Sequence, residues 1–347
     1  SAQGAMTQYT SLDAAVDAAQ TGDTVMLVKD VTLSDAVTVN KSITIDGGGK
    51  TITSDGTPAT MLQIQGEGEL NPVTIKNCTF VTHNSSENND TWCGIYVQNT
   101  VKNLTIENNT FTIRATSDEH GMFQCIGLEY RTGRVTKNVT ITGNTVNDTH
   151  TGTGGTEFVV AGQEKNAAYQ ANYGTTILTI TQNTLNGNPD NKTKQGLTGV
   201  SVSNVDGLTV TGNTFKDCYI GLCLNSCATN DKDHPFQLAN KINEIIDGND
   251  DYGTTTCVLA LTGAAPLDES TKTITLWDVA YGRVYLDEDA ETKLSKIGFD
   301  AGDGKFANPE TRCVTYVAFD NTDITLPTAP TRDGYTFTGW KAMPEGQ

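Results

Sequence analysis

Titratable side chains that could act on a substrate recur in three polar segments, at residues 81–93, 112–124 and 147–157. These segments contain three of the four histidines of the chain, together with carboxylates, an arginine and a tryptophan. A cluster of titratable groups around an aromatic side chain is typical of a ligand-binding or catalytic site. The candidate residues are His83, Asp90, Trp92, Arg114, Asp118, Glu119, His120, Asp148 and His150.

Residues 118–121, which read Asp-Glu-His-Gly, are the strongest acid–base candidate in the sequence. If the polar segments stack at the ~4.8 Å spacing of neighbouring strands, one of these carboxylates could pair with Asp90 or Asp148. Such a pair could hydrolyse a glycosidic bond or bind Ca²⁺ through oxygen ligands. The residue types do not separate these chemistries, and solvated loops of an acidic protein would contain the same side chains.

A shared surface made by the three segments would leave His83, Asp118, His120 and His150 exposed and close together. No cofactor is predicted, because the carboxylates follow no calcium-ligand motif with fixed offsets, although a calcium site is an open alternative.

Tyrosines provide a second candidate for ligand binding. Tyr169 and Tyr173 lie in an insertion between Val160 and Ile177, where a projecting loop could stack on sugar rings or anchor a protein partner. The alternative is a loop that folds over the protein wall and packs its own tyrosines.

The elements that position these residues are indicated by an eight-residue phrase that recurs five times. It reads VTIKNCTF at residues 73–80, and its later copies begin 31, 35, 39 and 30 residues after one another, at 104, 139, 178 and 208. Apolar residues alternate with threonine in each copy, which is the period of a strand with one buried face. Recurrence at this spacing predicts a solenoid.

The sixth position of the phrase predicts an internal ladder of side-chain amides. It is asparagine in four copies, at Asn109, Asn144, Asn183 and Asn213, and Cys78 in the first. Asparagine tolerates the left-handed backbone conformation of a tight corner, and each amide could bond its equivalent one coil away. We therefore expect a corner at this position, with an interruption of the ladder at the cysteine.

A second apolar strand follows each phrase, and the short segments directly after the phrase could form a third. The second strands are predicted at residues 94–97, 125–128, 158–160, 199–202 and 220–224. Three short parallel strands per turn predict a parallel β-helix, in which each coil buries its apolar face by stacking on its neighbours. The pattern resembles the right-handed parallel β-helix of the pectate-lyase-like superfamily over about residues 22–262.

That resemblance implies an active groove along one strand face, yet catalytic motifs of the superfamily are missing. The Gly-His-Gly and Arg-Ile-Lys motifs of the polygalacturonase family do not occur, and we find no basic cluster of the pectate lyase type. The eight cysteines contain no Cys-x-x-Cys pair, and they could be stacked reduced thiols or form one or two disulfides.

The two ends of the chain differ from the repeats. Residues 1–6 resemble the remnant of an expression tag, and residues 7–21 predict a helix, with Ser11 as N-cap, that covers the first coil. Residues 263–320 predict a small all-β element. Residues 321–347 resemble the start of an internalin B-type repeat, through a Pro-rich stretch followed by Gly-Tyr-Thr-Phe-Thr-Gly-Trp. The repeat implies a secreted bacterial parent protein attached to the cell wall.

Charge and hydropathy exclude several partners. Lysine and arginine number 23 against 41 aspartates and glutamates, a net charge of −18 that argues against nucleic acid. No apolar run is long enough to span a membrane. We therefore predict an all-β, monomeric, extracellular surface module that binds a host or dietary glycan or a host surface protein as an adhesin. A polysaccharide hydrolase or lyase and a passive stalk are the alternatives.

Overall fold

The computed structural model is an all-β structure with one short helix. It describes residues 6–66, 68–82, 91–98, 100–114, 123–128, 135–151, 154–166, 169–175, 177–191, 196–203, 205, 207–225, 248–249, 253, 255, 257–262, 273–276, 284–285, 294–306, 312–318, 326 and 329–341. Three parallel sheets run along the described repeats, and seven successive coils each contribute one strand to each sheet. The predicted parallel β-helix is confirmed, whereas membership of the pectate-lyase-like superfamily stays a prediction.

Two of the sheets contain seven strands each. The first sheet is formed by β1 (Thr24–Met26), β4 (Thr44–Asp46), β7 (Val73–Lys76), β10 (Leu104–Glu107), β14 (Val139–Thr142), β18 (Ile177–Thr181) and β21 (Gly207–Thr211). The second sheet is formed by β2 (Val31–Leu33), β5 (Thr51–Ser54), β8 (Thr79–Val81), β11 (Thr110–Ile113), β15 (Thr145–Asp148), β19 (Thr184–Asn186) and β22 (Thr214–Lys216).

The third sheet is longer and continues past the seven coils. Its main path consists of β3 (Val37–Val39), β6 (Thr60–Ile64), β9 (Cys93–Val97), β12 (Phe123–Leu128), β16 (Thr156–Asn166), β20 (Leu197–Ser203), β23 (Ile220–Asn225), β24 (Cys257–Thr262) and β26 (Val284–Tyr285). These strands contain the second apolar strands predicted from the sequence. Parallel pairing of β24 with β26 carries the sheet beyond residue 262.

The repeated phrase supplies strands to two sheets and the corner between them. Equivalent positions pair in register, so that Ile106 lies beside Ile75 on one side and Ile141 on the other. All three isoleucines are fully buried, whereas the threonines between them are half-buried. Burying such a side chain contributes about 1.5–3 kcal/mol, and each coil obtains this burial only from its neighbours.

The left-handed residue of the corner is the fifth position of the phrase and not the sixth, as we had expected. Asn77, Asn108 and Gln182 have φ of 56°, 54° and 56°, and Gly143 and Gly212 occupy the equivalent places with φ of 64° and 63°. Reversal of the backbone at the fifth residue turns the sixth side chain into the interior. Because glycine and asparagine adopt this conformation at least cost, they dominate the fifth position.

The sixth position forms the predicted amide ladder. Asn144 Oδ1 accepts hydrogen bonds from the backbone N–H and from Nδ2 of Asn109, at 2.9 and 3.1 Å. The same pair of bonds joins Asn144 to Asn183 and Asn183 to Asn213. At the first copy, Cys78 N–H donates to Asn109 Oδ1 at 2.9 Å, so the backbone half of the ladder continues there. The predicted ladder is therefore confirmed.

The ladder extends one coil further than the five phrases. Asn213 donates to Asn249 Oδ1 from its backbone N–H at 3.1 Å and from Nδ2 at 2.8 Å. In the sequence, Asn249 follows a glycine, as Asn144 and Asn213 do, and this Gly-Asn pair is a signal that could have identified it.

A helix covers the first coil, as predicted. Helix α1 (Leu12–Ala18) begins after Ser11, whose Oγ accepts from Ala14 N–H at 3.2 Å. Leu12 and Val16 are buried against the core. Lys41 Nζ donates to the carbonyl oxygen of Asp17 at 2.5 Å, which satisfies a backbone acceptor at the helix C-terminus.

The insertion between Val160 and Ile177 is a β-hairpin and not the loop that we had expected. β16 continues outward and pairs antiparallel with β17 (Tyr169–Thr175), which also pairs with β13 (Val135–Thr136). Pairing on both sides gives β17 hydrogen-bond partners that a projecting loop would lack.

A separate antiparallel sheet follows the β-helix. It is formed by β25 (Thr273–Leu276), β28 (Arg312–Ala318) and β27 (Leu294–Asp300), in that order. Trp340 packs against Phe299 and Phe337 with ring centroids 5.1 Å apart in each case, and stacks on Phe306 at 5.9 Å. These rings make a small aromatic core that links β27 to the Gly-Tyr-Thr-Phe-Thr-Gly-Trp run.

Candidate functional site

Several predicted site residues lie outside the described part of the chain. They are His83, Asp90, Asp118, Glu119 and His120. Their proximity to one another, the acid–base role of residues 118–121 and the calcium alternative therefore stay predictions. Tyr169 and Tyr173 lie on β17, where the backbone of Tyr173 pairs with Glu164 and that of Tyr169 with Asn166.

Asp148 and His150 are buried, so the prediction that His150 is exposed was wrong. Their exposed fractions are 4% and 3%. Asp148 lies two residues after the core residue Val146, on the same side of β15, and pairs in register with the buried Ile113. Alternation along the strand therefore turns the Asp148 side chain inward, and this signal was present in the sequence.

The buried carboxylate is held by hydrogen bonds from the segment that follows it. Asp148 Oδ2 accepts from Thr156 Oγ1 at 2.7 Å, and Oδ1 accepts from His150 N–H at 2.8 Å. The His150 carbonyl oxygen in turn accepts from Nδ2 of Asn188 at 2.8 Å and of Asn191 at 3.2 Å. These five residues form a buried polar cluster at the end of β15.

Burial raises the pKa of the Asp148 carboxyl from 3.8 to about 6, and the hydrogen bonds from Thr156 and His150 oppose part of that rise. A carboxyl this deeply buried cannot reach a polymeric substrate. The position of Asp148 therefore fits a structural role for this cluster better than surface acid–base chemistry.

Four buried thiols of the described residues are poor nucleophiles. Cys78 and Cys218 have their thiol pKa raised to about 12 by burial, and burial raises the pKa of Cys93 and Cys125 well above the ordinary value. The thiolate is the reactive form of cysteine, so these side chains are inert. One of these thiols, that of Cys78, lines a depression between the first two sheets. The other residues that line it have no titratable side chain: Gly48, Gly49, Asn77, Thr79, Asn108 and Thr110.

Trp92 and Arg114 are exposed, but they belong to different environments. Arg114 follows β11, and its backbone N–H donates to Thr82 Oγ1 at 2.9 Å. Trp92 immediately precedes β9 and is 36% exposed. Its ring meets Tyr96 edge-on, with centroids 4.8 Å apart and planes at 71°. Sequence reasoning selected Trp92 but missed Tyr96, because Tyr96 lies within an apolar strand.

Side-chain amides lie on the same face of the third sheet as Tyr96. Gln63 pairs in register with Tyr96 and donates from Nε2 to Oε1 of Gln98 and, at 3.0 Å, of Gln65. All of these side chains are half-buried. On the next two strands, Gln124 Nε2 donates to Glu157 Oε2 at 3.1 Å.

Gly127 allows the aromatic and amide groups to meet. A Cβ atom on this residue would lie 3.0 Å from Tyr96 Cδ2 and 2.9 Å from Gln124 Oε1. The side chains of Tyr96 and Gln124 therefore lie over the backbone of Gly127. A larger residue at this position would displace both of them. We name the set Gln63, Tyr96, Gln98, Gln124, Glu157 and Trp92 the amide–aromatic face.

No group of three or more His, Cys, Asp or Glu residues that could hold a metal ion occurs among the described residues. The described helix is seven residues long, and within the described ranges no helix has the length and hydropathy to cross a membrane. The amide–aromatic face can form hydrogen bonds and stacking contacts.

Comparison with known proteins identifies the C-terminal part. Residues 296–347 match the family of the Listeria-Bacteroides repeat domain, which confirms the predicted repeat. The matched range contains β28 and all but the first two residues of β27. Domains of this family occur in bacterial surface proteins. No curated protein and no solved structure matches the chain. The chain thus combines a parallel β-helix with a C-terminal region similar to a bacterial surface repeat.

Proposed function

We propose that this protein is a non-catalytic glycan-binding module, or adhesin, of a bacterial surface protein, and that the amide–aromatic face is its binding surface. The observation that carries the proposal is the Trp92–Tyr96 pair beside half-buried glutamines on a rigid sheet. Aromatic rings stack on the apolar faces of sugars, and side-chain amides exchange hydrogen bonds with hydroxyl groups.

The scaffold supports binding because strand pairing and the amide ladder join the coils that carry these side chains. Tyr96, Gln124 and Glu157 come from three successive coils, and each coil is fixed by the amide ladder and the stacked core. A preorganised face loses little conformational freedom when a ligand binds. The surface repeat at residues 296–347 supports an extracellular location on the cell, where the ligand is a host or dietary glycan.

The experiment is a glycan array, run beside reducing-sugar and unsaturated-uronate assays on plant and mucin polysaccharides. We expect binding without product, and we expect the Trp92→Ala/Tyr96→Ala double variant to lose it. Tyr335→Ala is the matched control, because it removes a 67% exposed aromatic ring from another part of the molecule. Thermal unfolding verifies that each variant is folded.

The other outcomes identify the alternatives. Product that disappears in an Asp118→Ala/Glu119→Ala/His120→Ala variant establishes a hydrolase or lyase. Binding to a host surface protein but to no glycan retains the adhesin role and rejects the glycan. A protein that binds neither and releases no product acts as a passive stalk.

A further inference from the structure

We infer that the glycan held on the amide–aromatic face is electrically neutral, an inference that rests on the proposed function. Gln63, Gln98 and Gln124 combine N–H donors with a carbonyl acceptor. Gln63 Nε2 donates to Gln98 and Gln65, and Gln124 Nε2 donates to Glu157. Oε1 of Gln63, Oε1 of Gln124 and Nε2 of Gln98 take no part in these three bonds, so the face presents both acceptors and donors to a ligand. A sugar hydroxyl also donates and accepts, so it matches an amide in both directions. A carboxylate or sulfate accepts only, and would leave the amide oxygens of this face without a donor.

The charge of the face disfavours acidic glycans further. Among the described side chains of β3, β6, β9, β12, β20, β23 and residues 156–162 of β16, there is no lysine or arginine. The charged side chain on this part of the face is Glu157, which is half-buried beside Gln124. Recognition of carboxylates or sulfates relies on arginine and lysine, and the net charge of −18 adds repulsion.

The extent of the face indicates an oligosaccharide. Gln63, Tyr96, Gln124 and Glu157 lie on the successive strands β6, β9, β12 and β16. Gln63 and Tyr96 pair in one row of the sheet, whereas Gln124 and Glu157 pair in a row three residues nearer the strand starts. Three strand spacings of ~4.8 Å and an offset of ~10 Å along the strands place the first and last about 17 Å apart. A glycan that contacts all four therefore crosses the sheet obliquely to the axis of the β-helix, and longer oligomers bind more tightly than a monosaccharide.

Gly127 positions the two side chains at the centre of this path. Because Tyr96 and Gln124 both lie over its backbone, Gly127→Ala displaces them without removing a hydrogen-bonding group. Loss of binding in this variant, with Trp92 unchanged, would show that placement of the ring and amide matters and not only their presence.

The test compares methyl-esterified polygalacturonate with polygalacturonate, which share one backbone and differ in whether C6 carries a neutral ester or a carboxylate. It extends to neutral gluco-, xylo- and manno-oligosaccharides and to hyaluronan. Isothermal titration is run at low and physiological salt. We expect binding to at least one neutral glycan, with little salt dependence. Tyr96→Ala and Gln124→Ala should each weaken it about tenfold, equivalent to about 1.4 kcal/mol, while Tyr335→Ala leaves it unchanged.

The outcomes separate this inference from the proposed function. Tight binding of polygalacturonate or hyaluronan without binding of neutral glycans overturns the neutral class, while glycan binding itself survives. Neutral binding that Tyr96→Ala and Gln124→Ala leave intact also overturns the inference, because the ligand then lies elsewhere. Binding of no glycan overturns both proposals.

Discussion

The amide ladder allows a quantitative test, because the molecule contains a second ladder of the same groups at its surface. Asn103 Nδ2 donates to Asn71 Oδ1 at 2.7 Å, and Asn138 Nδ2 donates to Asn103 Oδ1 at 3.1 Å. The inner ladder at Asn144 is 1% exposed, whereas the bonds of the outer ladder face solvent. Replacement of Asn144 and of Asn103 by leucine therefore compares the same amide in two environments.

The expected cost at Asn144 follows from the groups that lose their bonds. Leucine removes the acceptor of Asn109 N–H at 2.9 Å and the donor to the Ile106 carbonyl oxygen at 2.9 Å. Asn109 Nδ2 keeps its bond to the Ile75 carbonyl oxygen at 3.0 Å. Two buried groups at about 1–3 kcal/mol each predict a loss of about 2–6 kcal/mol in the free energy of unfolding. The leucine side chain has as many heavy atoms as asparagine but is bulkier, so crowding in the interior adds to the loss and no cavity forms.

At Asn103 water replaces the lost partners, and the expected change lies within about 0.5 kcal/mol. Urea denaturation followed by far-UV circular dichroism measures both variants against the unmodified protein. Equal losses for the two variants, or an Asn144→Leu protein as stable as the parent, would refute the conclusion that buried amide bonds hold the coils together.

Three further predictions concern the polar cluster, the binding face and the C-terminal region. Because the pKa of the Asp148 carboxyl is raised in the folded protein, the folded state binds the carboxyl proton more tightly than the unfolded state does. The contribution of Asp148 to the free energy of unfolding therefore falls by about 3 kcal/mol as pH rises from about 4 to about 6. Asp148→Asn should therefore gain stability relative to the parent over that range in urea denaturation at several pH values, and a pH-independent difference contradicts this. Gly127→Ala should change the fluorescence of Trp92 by moving Tyr96, and an unchanged spectrum contradicts the close contact. Trp340→Ala removes three aromatic contacts worth about 2–4 kcal/mol together and should speed proteolysis within residues 294–341. If the variant resists the protease as well as the parent does, the aromatic cluster does not stabilise this region.

The sequence alone determined the solenoid, because its information is local and repeated. Alternation of apolar residues with threonine specifies strands, and recurrence after about 30 residues specifies how the strands stack. The amide ladder was predictable for the same reason, since one position of one phrase holds asparagine in four copies. The helix over the first coil was predictable from Ser11 and the apolar face that follows it.

The tertiary structure decided which side chains share an environment. Alternation along β15 already indicated that Asp148 points inward, but the tertiary structure buries His150 and brings Thr156, Asn188 and Asn191 to the same cluster. The amide–aromatic face joins side chains from four coils, separated by about 30 residues in sequence. No local pattern encodes that proximity, because it arises from the register between strands and from the missing side chain of Gly127, which lets Tyr96 and Gln124 meet.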